Sequence, residues 1–134
     1  MTMTGGCACG ALRYRAEGEP LLQGLCHCRT CQRLSGGGHT GFITFADSAV
    51  MLQGDTVSYS STSGSGRTAT RYACCICHSG VFGRAEVMAG KINLYAGSLD
   101  DPSQFKPQIA IFTRSRPAWD TSSAGLRCFD TVPG

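Results

Sequence analysis

The chain has 134 residues, 42% of them hydrophobic and 16% charged, with a formal net charge of +3. That is enough for one ordinary core and too little for two, so a single domain over residues 1–134 is expected. Arg29, Arg33, Arg67, Arg71, Arg84, Arg114 and Arg116 are scattered and no lysine run exists, which argues against a nucleic-acid partner. No apolar run approaches the roughly 18 residues that cross a bilayer, and "MTMTGGCACGALRYR" lacks the apolar stretch of a secretory signal, so a soluble cytoplasmic protein without a membrane partner is expected.

In chain order, the first strand signal is "ALRYRAEG", where Leu12, Tyr14 and Ala16 alternate with Arg13, Arg15 and Glu17, the period-two pattern of a half-buried strand. A helical turn is predicted from Arg29 to Leu34. "HTGFITFAD", "AVMLQGD" and "TVSYSST" follow as short strands bounded by Gly, Asp or Ser. "STSGSGRT", from Ser61 to Thr68, reads as a mobile loop. "RTATRYAC", "GVFGRAE" and "KINLYAGSL" are the next strands. In "LDDPSQF", Asp101 is placed to cap a turn with Pro102 at its first position, and "QIAIFTRS" closes the series. Eight short strands, served by 18 glycines at close to twice the usual share of about 7%, predict an all-β domain with metal-knuckle turns.

Cysteine is the outlier in composition. Nine is an odd number, so disulfides cannot use them all, and a cytosolic setting keeps ordinary disulfides reduced. In an extended chain, Cys7 and Cys9 or Cys26 and Cys28 would have Cα atoms about 6.7 Å apart, at the outer limit of disulfide geometry. Zinc asks instead for four ligands in a tetrahedron, supplied readily by two tight turns. Cys7-Ala8-Cys9 and the ends of Cys74-Cys75-Ile76-Cys77 make such a set, and the roughly 65 residues between them add little closure entropy. Cys7, Cys9, Cys74 and Cys77 are therefore expected to hold a structural zinc. Cys75 could replace Cys74 there; otherwise it is expected to be a small buried hydrophobe. Cys128, in "GLRCFD", is expected to pack in the core.

"CHCRTCQR" then leaves Cys26, Cys28 and Cys31 with no fourth cysteine of matching spacing. Three ligands and a free position is the arrangement of a catalytic zinc. Three thiolates against +2 leave a net charge of about −1, which suits holding a substrate thiolate better than acidifying water. His27, His39, His78, Cys75 or Cys128 could instead close the site and make it structural. His27 should point away if both its neighbours bind, because alternate side chains of an extended segment face opposite ways. His39 and His78 are expected at the surface or behind the ligands. Arg29 and Arg33 flank the cluster and could attract an anionic thiol, or simply be solvated.

Laid out this way, "GGCACGALRY", "CHCRTCQRLSG", "RYACCICHSGVF", "AGSLDDPSQFKP", "SRPAW" and "GLRCF" resemble, in order, the glutathione-dependent formaldehyde-activating enzyme family, also called the GFA or centromere-protein-V family. The resemblance implies a zinc-binding β-tent fold, a structural zinc at Cys7, Cys9, Cys74 and Cys77, and a second, open zinc at Cys26, Cys28 and Cys31. It further implies a carbon-sulfur lyase that joins formaldehyde to glutathione as S-(hydroxymethyl)glutathione. The chain departs from the family at His78, where a glycine is usual, at Cys75, where a smaller residue is not unusual, and at Ala110, in a segment that often carries a histidine. Two function classes follow: a zinc enzyme acting on glutathione or another thiol with an aldehyde, or a non-catalytic, zinc-stabilised β-tent binding module. The chain lacks the basic or disordered extension that cytoskeletal or nucleic-acid binders tend to carry. The sequence leaves the oligomeric state open.

Overall fold

The structure, a computed structural model, describes residues 1–62 and 67–133. Residues 63–66, the centre of the loop predicted between Ser61 and Thr68, lie outside the described residues.

Two sheets carry the fold. β1 (Thr2–Gly6), β2 (Arg13–Glu17) and β5 (Val50–Gln53) form an antiparallel three-stranded sheet in the order β1-β2-β5. The larger sheet holds β3 (Leu22–Cys26), β4 (Thr40–Ala46), β6 (Thr56–Thr62), β7 (Thr68–Cys74), β8 (Gly80–Ala85), β9 (Lys91–Tyr95), β10 (Ile109–Ile111) and β11 (Arg127–Cys128). Its order is β11-β10-β3-β4-β9-β8-β7-β6, antiparallel except that β10 runs parallel to both of its neighbours. The only α-helix among the described residues is α1 (Arg29–Ser35). The architecture is thus all-β, as the alternation and the turn residues predict, and no described helix is long and apolar enough to cross a membrane.

The sheets bury one core between them. Met3, Tyr14 and Ala16 face it from the small sheet, and Ile43, Phe45, Val81, Ile92 and Leu94 from the large one. In β2 the buried Tyr14 and Ala16 alternate with exposed Arg15 and Glu17, so the period read from the sequence becomes the inner and outer faces of a real strand. Burying each such large apolar side chain stabilises the fold by about 1.5–3 kcal/mol. The Tyr14 hydroxyl, deep in this core, is hydrogen-bonded to Ser98 Oγ at 2.8 Å, so its burial leaves no polar atom stranded.

Three strands, β1, β3 and β11, have no counterpart among the eight predicted. β3 shows why. Its sequence "LQGLC" has no β-branched or aromatic residue and carries a central glycine, which reads as a turn. Yet a Cβ on Gly24 would stand 2.8 Å from the Phe42 ring and 2.9 Å from Ile109 Cγ1. Glycine here permits close approach of the flanking strands rather than a bend. The last predicted strand is cut short for the opposite reason: Phe112 adopts a left-handed backbone at φ 53, so β10 stops at Ile111 and a 3-10 turn follows over Thr113–Ser115.

The helical predictions concern the site most directly. The turn expected over Arg29–Leu34 is α1, capped at its start by the Cys28 sulfur, which accepts from the Cys31 amide at 3.3 Å. Gly36 ends it in a left-handed conformation at φ 77. At "LDDPSQF", an Asp101 carboxylate oxygen accepts from the Ser103 amide at 3.1 Å and Pro102 opens the 3-10 turn.

Candidate functional site

Cys7 and Cys9 lie on the tight turn that reverses β1 into β2, closed by the Cys7 amide on the Leu12 carbonyl at 2.9 Å. Cys74 ends β7, and Cys77 sits in the turn before β8. The four sulfurs all lie within 4.8 Å of one another. Cys7 and Cys9 Sγ are 3.6 Å apart, and Cys9 and Cys74 Sγ 3.7 Å. A tetrahedron with Zn–S bonds of about 2.3 Å has edges of about 3.8 Å, so the donor set fits a four-coordinate zinc.

The surroundings favour charged sulfur at Cys7 and Cys77. At Cys9 a backbone hydrogen bond from Ala11 is outweighed by contact with Cys7 and by desolvation, which push the thiol up to about 11. Amides of Leu12 and Ile76 donate to Cys7 and Cys74 Sγ at 3.2 and 3.3 Å. Ser79 lies 2.9 Å from Cys77 Sγ, and its hydroxyl and amide hold the Cys77 thiol down at about 5. The same hydroxyl accepts from the Ala8 amide at 2.9 Å, tying one turn to the other. A metal in this set would staple the small sheet to the large one.

Cys75 and Cys128 do not occupy the buried positions expected of them. Cys75 is exposed and outside the sulfur group: with Cys74 turned into the core, its neighbour in the turn faces out, its amide donating to the Asp55 carbonyl. Cys128 is exposed because β11 is a two-residue strand at the sheet edge. His78 takes the left-handed conformation at φ 62, a backbone that suits glycine and departs from what a β-carbon prefers.

Cys26, Cys28 and Cys31 form the second group. β3 delivers Cys26, the cap of α1 is Cys28, and the first turn of the helix brings Cys31 back over both. Their sulfurs lie within 4.8 Å of one another, and among the described residues no fourth His, Cys, Asp or Glu joins them. His27 points away as expected, fully buried, with Nδ1 donating to the Gly38 carbonyl at 2.8 Å. Hydrogen bonds from Cys26 and Cys31 hold the Cys28 thiol far below the usual range, with Arg71 adding to the effect, while the same contact with Cys28 pushes Cys26 up. Three cysteine sulfurs this close together fit a divalent cation, which would bind the thiolates in place of their protons.

The arginine that reaches this group is neither of those flanking it in sequence. Arg33 is exposed and Arg29 turns to Gln32. Arg71, on β7, donates from Nη2 to Cys31 Sγ at 3.4 Å and from Nη1 to Ser61 Oγ at 3.0 Å. It also lines a cleft of about 560 Å³ whose wall includes Leu34, His39, Tyr72, His78 and Tyr95. Burial pushes the Tyr95 hydroxyl up, so it enters the cleft wall as a neutral donor. Only the strand register puts Arg71 here, opposite Gly83 and Tyr59, so cysteine spacing could not reveal it.

Ala110, where the resemblance implies a frequent histidine, is fully buried in β10 opposite Leu25, and contributes nothing polar to the cleft.

Comparison with known proteins agrees with this layout. A solved structure of a Rhodobacter sphaeroides protein, a structural-genomics target, is 17% identical and superposes with a TM-score of 0.59 over 94% of this chain and 98% of its own, which establishes a shared fold. Among curated proteins, none matches the sequence. The family model of the glutathione-dependent formaldehyde-activating enzyme matches residues 2–115, a span that takes in both sulfur groups, Arg71 and the cleft. The chain belongs to the glutathione-dependent formaldehyde-activating enzyme family.

Proposed function

We propose that this protein is a zinc enzyme that joins a small thiol, glutathione, to formaldehyde, giving S-(hydroxymethyl)glutathione, a reaction of the carbon-sulfur lyase class. The single observation that carries this reading is the incomplete set of three sulfurs beside a cleft, with Arg71 bridging the two. In this reading Cys7, Cys9, Cys74 and Cys77 hold a structural zinc, and Cys26, Cys28 and Cys31 hold a second one. When bound there, zinc would supply a Lewis-acid hold on a substrate sulfur and lower its affinity for a proton.

The chain's own residues do the rest. Arg71 sets a fixed positive charge against the surplus negative charge of three thiolates, and with its second nitrogen on Ser61 it is held in place rather than free to swing. A guanidinium on the cleft wall suits a carboxylate of the thiol peptide. Tyr72 stacks on Phe82 with ring centroids 4.6 Å apart, a rigid aromatic wall against which a substrate is held away from bulk water.

The test is the rate at which ¹³C-formaldehyde and glutathione exchange with their adduct, read by NMR over the uncatalysed background. Acceleration by the intact chain that disappears in Cys28→Ser supports the enzyme. Binding of glutathione without acceleration would favour the binding-module reading, and neither binding nor acceleration would remove the thiol substrate altogether.

A further inference from the structure

His39 lines the cleft and is met there by Asp120 and Ser122, which lie outside its wall; the metal-binding reading uses none of the three. His39 stands at the entry to β4 and Asp120 in the segment between β10 and β11, 81 residues apart in sequence. His39 Nδ1 lies 2.8 Å from Asp120 Oδ2, a distance at which the ring N–H donates to the carboxylate. Ser122 Oγ is 3.2 Å from the same nitrogen, and the Ser122 amide donates to Asp120 Oδ1 at 3.0 Å.

Asp120 is built to stay where it is. It is 7% exposed, and Arg116 donates to its backbone carbonyl at 2.7 Å. A Cβ on Gly38 would stand 2.2 Å from Asp120 Oδ2, so the glycine there makes room for the carboxylate. Burial pushes the Asp120 carboxyl up, but hydrogen bonds from His39 and from the Ser122 side chain and amide outweigh it and keep the group ionised. With Nδ1 committed to Asp120, the ring nitrogen of His39 left for other work is Nε2, and the ring is part of the wall that Arg71 also lines. His27 packs edge-on behind it, ring centroids 5.5 Å apart. An ionised carboxylate fixing one nitrogen of an imidazole whose ring lines a cleft is the geometry of an oriented acid–base group.

We propose that His39 is the catalytic acid–base residue of this site and that Asp120 is its positioning residue. The proposal rests on the thiol–aldehyde reaction inferred above. Nε2 takes the proton from the thiol as the sulfur forms its bond to the aldehyde carbon. The carbonyl π pair moves onto oxygen, and the oxyanion takes that proton back from Nε2 to give the hydroxymethyl thioether. His39 ends as it began, with no oxidant or reductant consumed, and Asp120 stabilises the transient imidazolium.

The ligand atoms of His27, His39 and Asp120 also lie within 4.8 Å of one another, so a third metal is the rival occupant. Against it, His27 Nδ1 is taken up by the Gly38 carbonyl and His39 Nδ1 by Asp120. For it, the buried His27 Nε2 has no hydrogen-bond partner among the described residues, so the count of zinc per chain separates the two.

The experiment takes the zinc-loaded full chain through His39→Gln, His39→Ala and Asp120→Asn. Measured on each are zinc per chain, glutathione affinity, the protonated ring nitrogen by ¹H–¹⁵N NMR, and adduct exchange. Expected are unchanged zinc content and glutathione affinity, a proton on Nδ1 in the wild type, and a kcat lower by about 10²–10⁴ in His39→Gln with KM little changed. Added imidazole should restore part of the rate of His39→Ala, and Asp120→Asn should lose the Nδ1 preference along with a smaller share of kcat. Wild-type kcat in His39→Gln would overturn this proposal alone, and so would a third zinc that His39→Gln removes. No exchange above background in the wild type would overturn the enzyme reading and this proposal with it.

Discussion

Replacing Cys9 with alanine separates the metal from packing. Cys9 is exposed, and a surface substitution of this kind ordinarily changes stability by no more than about 0.5 kcal/mol. Its sulfur, however, stands 3.6 Å from that of Cys7 and 3.7 Å from that of Cys74, as one corner of the four-sulfur set. Structural zinc contributes about 10–16 kcal/mol of apparent free energy in zinc-finger peptides, comparable with the whole stability of a domain, about 5–15 kcal/mol. If the lost corner removes only a third of that, about 3–5 kcal/mol, Tm falls by about 10–20 °C in a chain of this size. Cys75→Ala is the control, another exposed cysteine in the same region but outside the set, expected to shift Tm by no more than about 2 °C. The assay is a thermal melt with zinc measured on the same sample. Equal Tm and equal zinc content in the two variants would refute the four-sulfur zinc.

Cys28→Ser should leave a folded chain with one zinc fewer by native mass spectrometry, since the second group caps a helix and does not join the sheets; collapse like that of Cys9→Ala would make the second site structural too. Arg71→Met should weaken glutathione binding by about 10–150-fold, the equivalent of a hydrogen bond to a charged group worth about 1.5–3 kcal/mol, and calorimetry showing unchanged affinity would remove Arg71 from substrate binding. His78→Gly relieves a left-handed backbone that costs a β-carbon about 1–2 kcal/mol, less the extra entropy glycine loses on folding, about 0.5–1 kcal/mol. Its Tm should rise by about 2–4 °C in the zinc-loaded protein, and a fall would show that the His78 side chain holds the turn.

What could be read in advance was whatever the chain encodes locally. Alternation at Leu12, Tyr14 and Ala16 fixed an inner face, and the cysteine spacing divided seven thiols into two groups that the fold then brought together. The helical turn from Arg29 to Leu34 was legible, but its cap was not: Cys28 read only as a metal ligand, and the fold shows its sulfur also accepting from the Cys31 amide, much as a serine or aspartate would. Long-range pairing was not legible. Gly24 reads as a turn until Phe42 and Ile109 are seen pressing on it, and Arg71 is one scattered arginine among many until the register of β7 carries it to Cys31. Asp120 and His39 show no relation along the chain, since their pairing depends on how the segment after β10 returns across the helix. Cys128 misled for a related reason: hydrophobic character alone cannot distinguish an edge strand from a buried one.

The central claim is an open metal held by Cys26, Cys28 and Cys31 that accepts a thiol. The most direct measurement replaces zinc with cobalt(II) in the purified chain and titrates it with glutathione, following thiolate-to-cobalt absorption. Two metals per chain, with absorption that grows to saturation at one glutathione per chain and does not grow in Cys28→Ser, is the predicted result. A spectrum indifferent to glutathione, with both metals present, would contradict it.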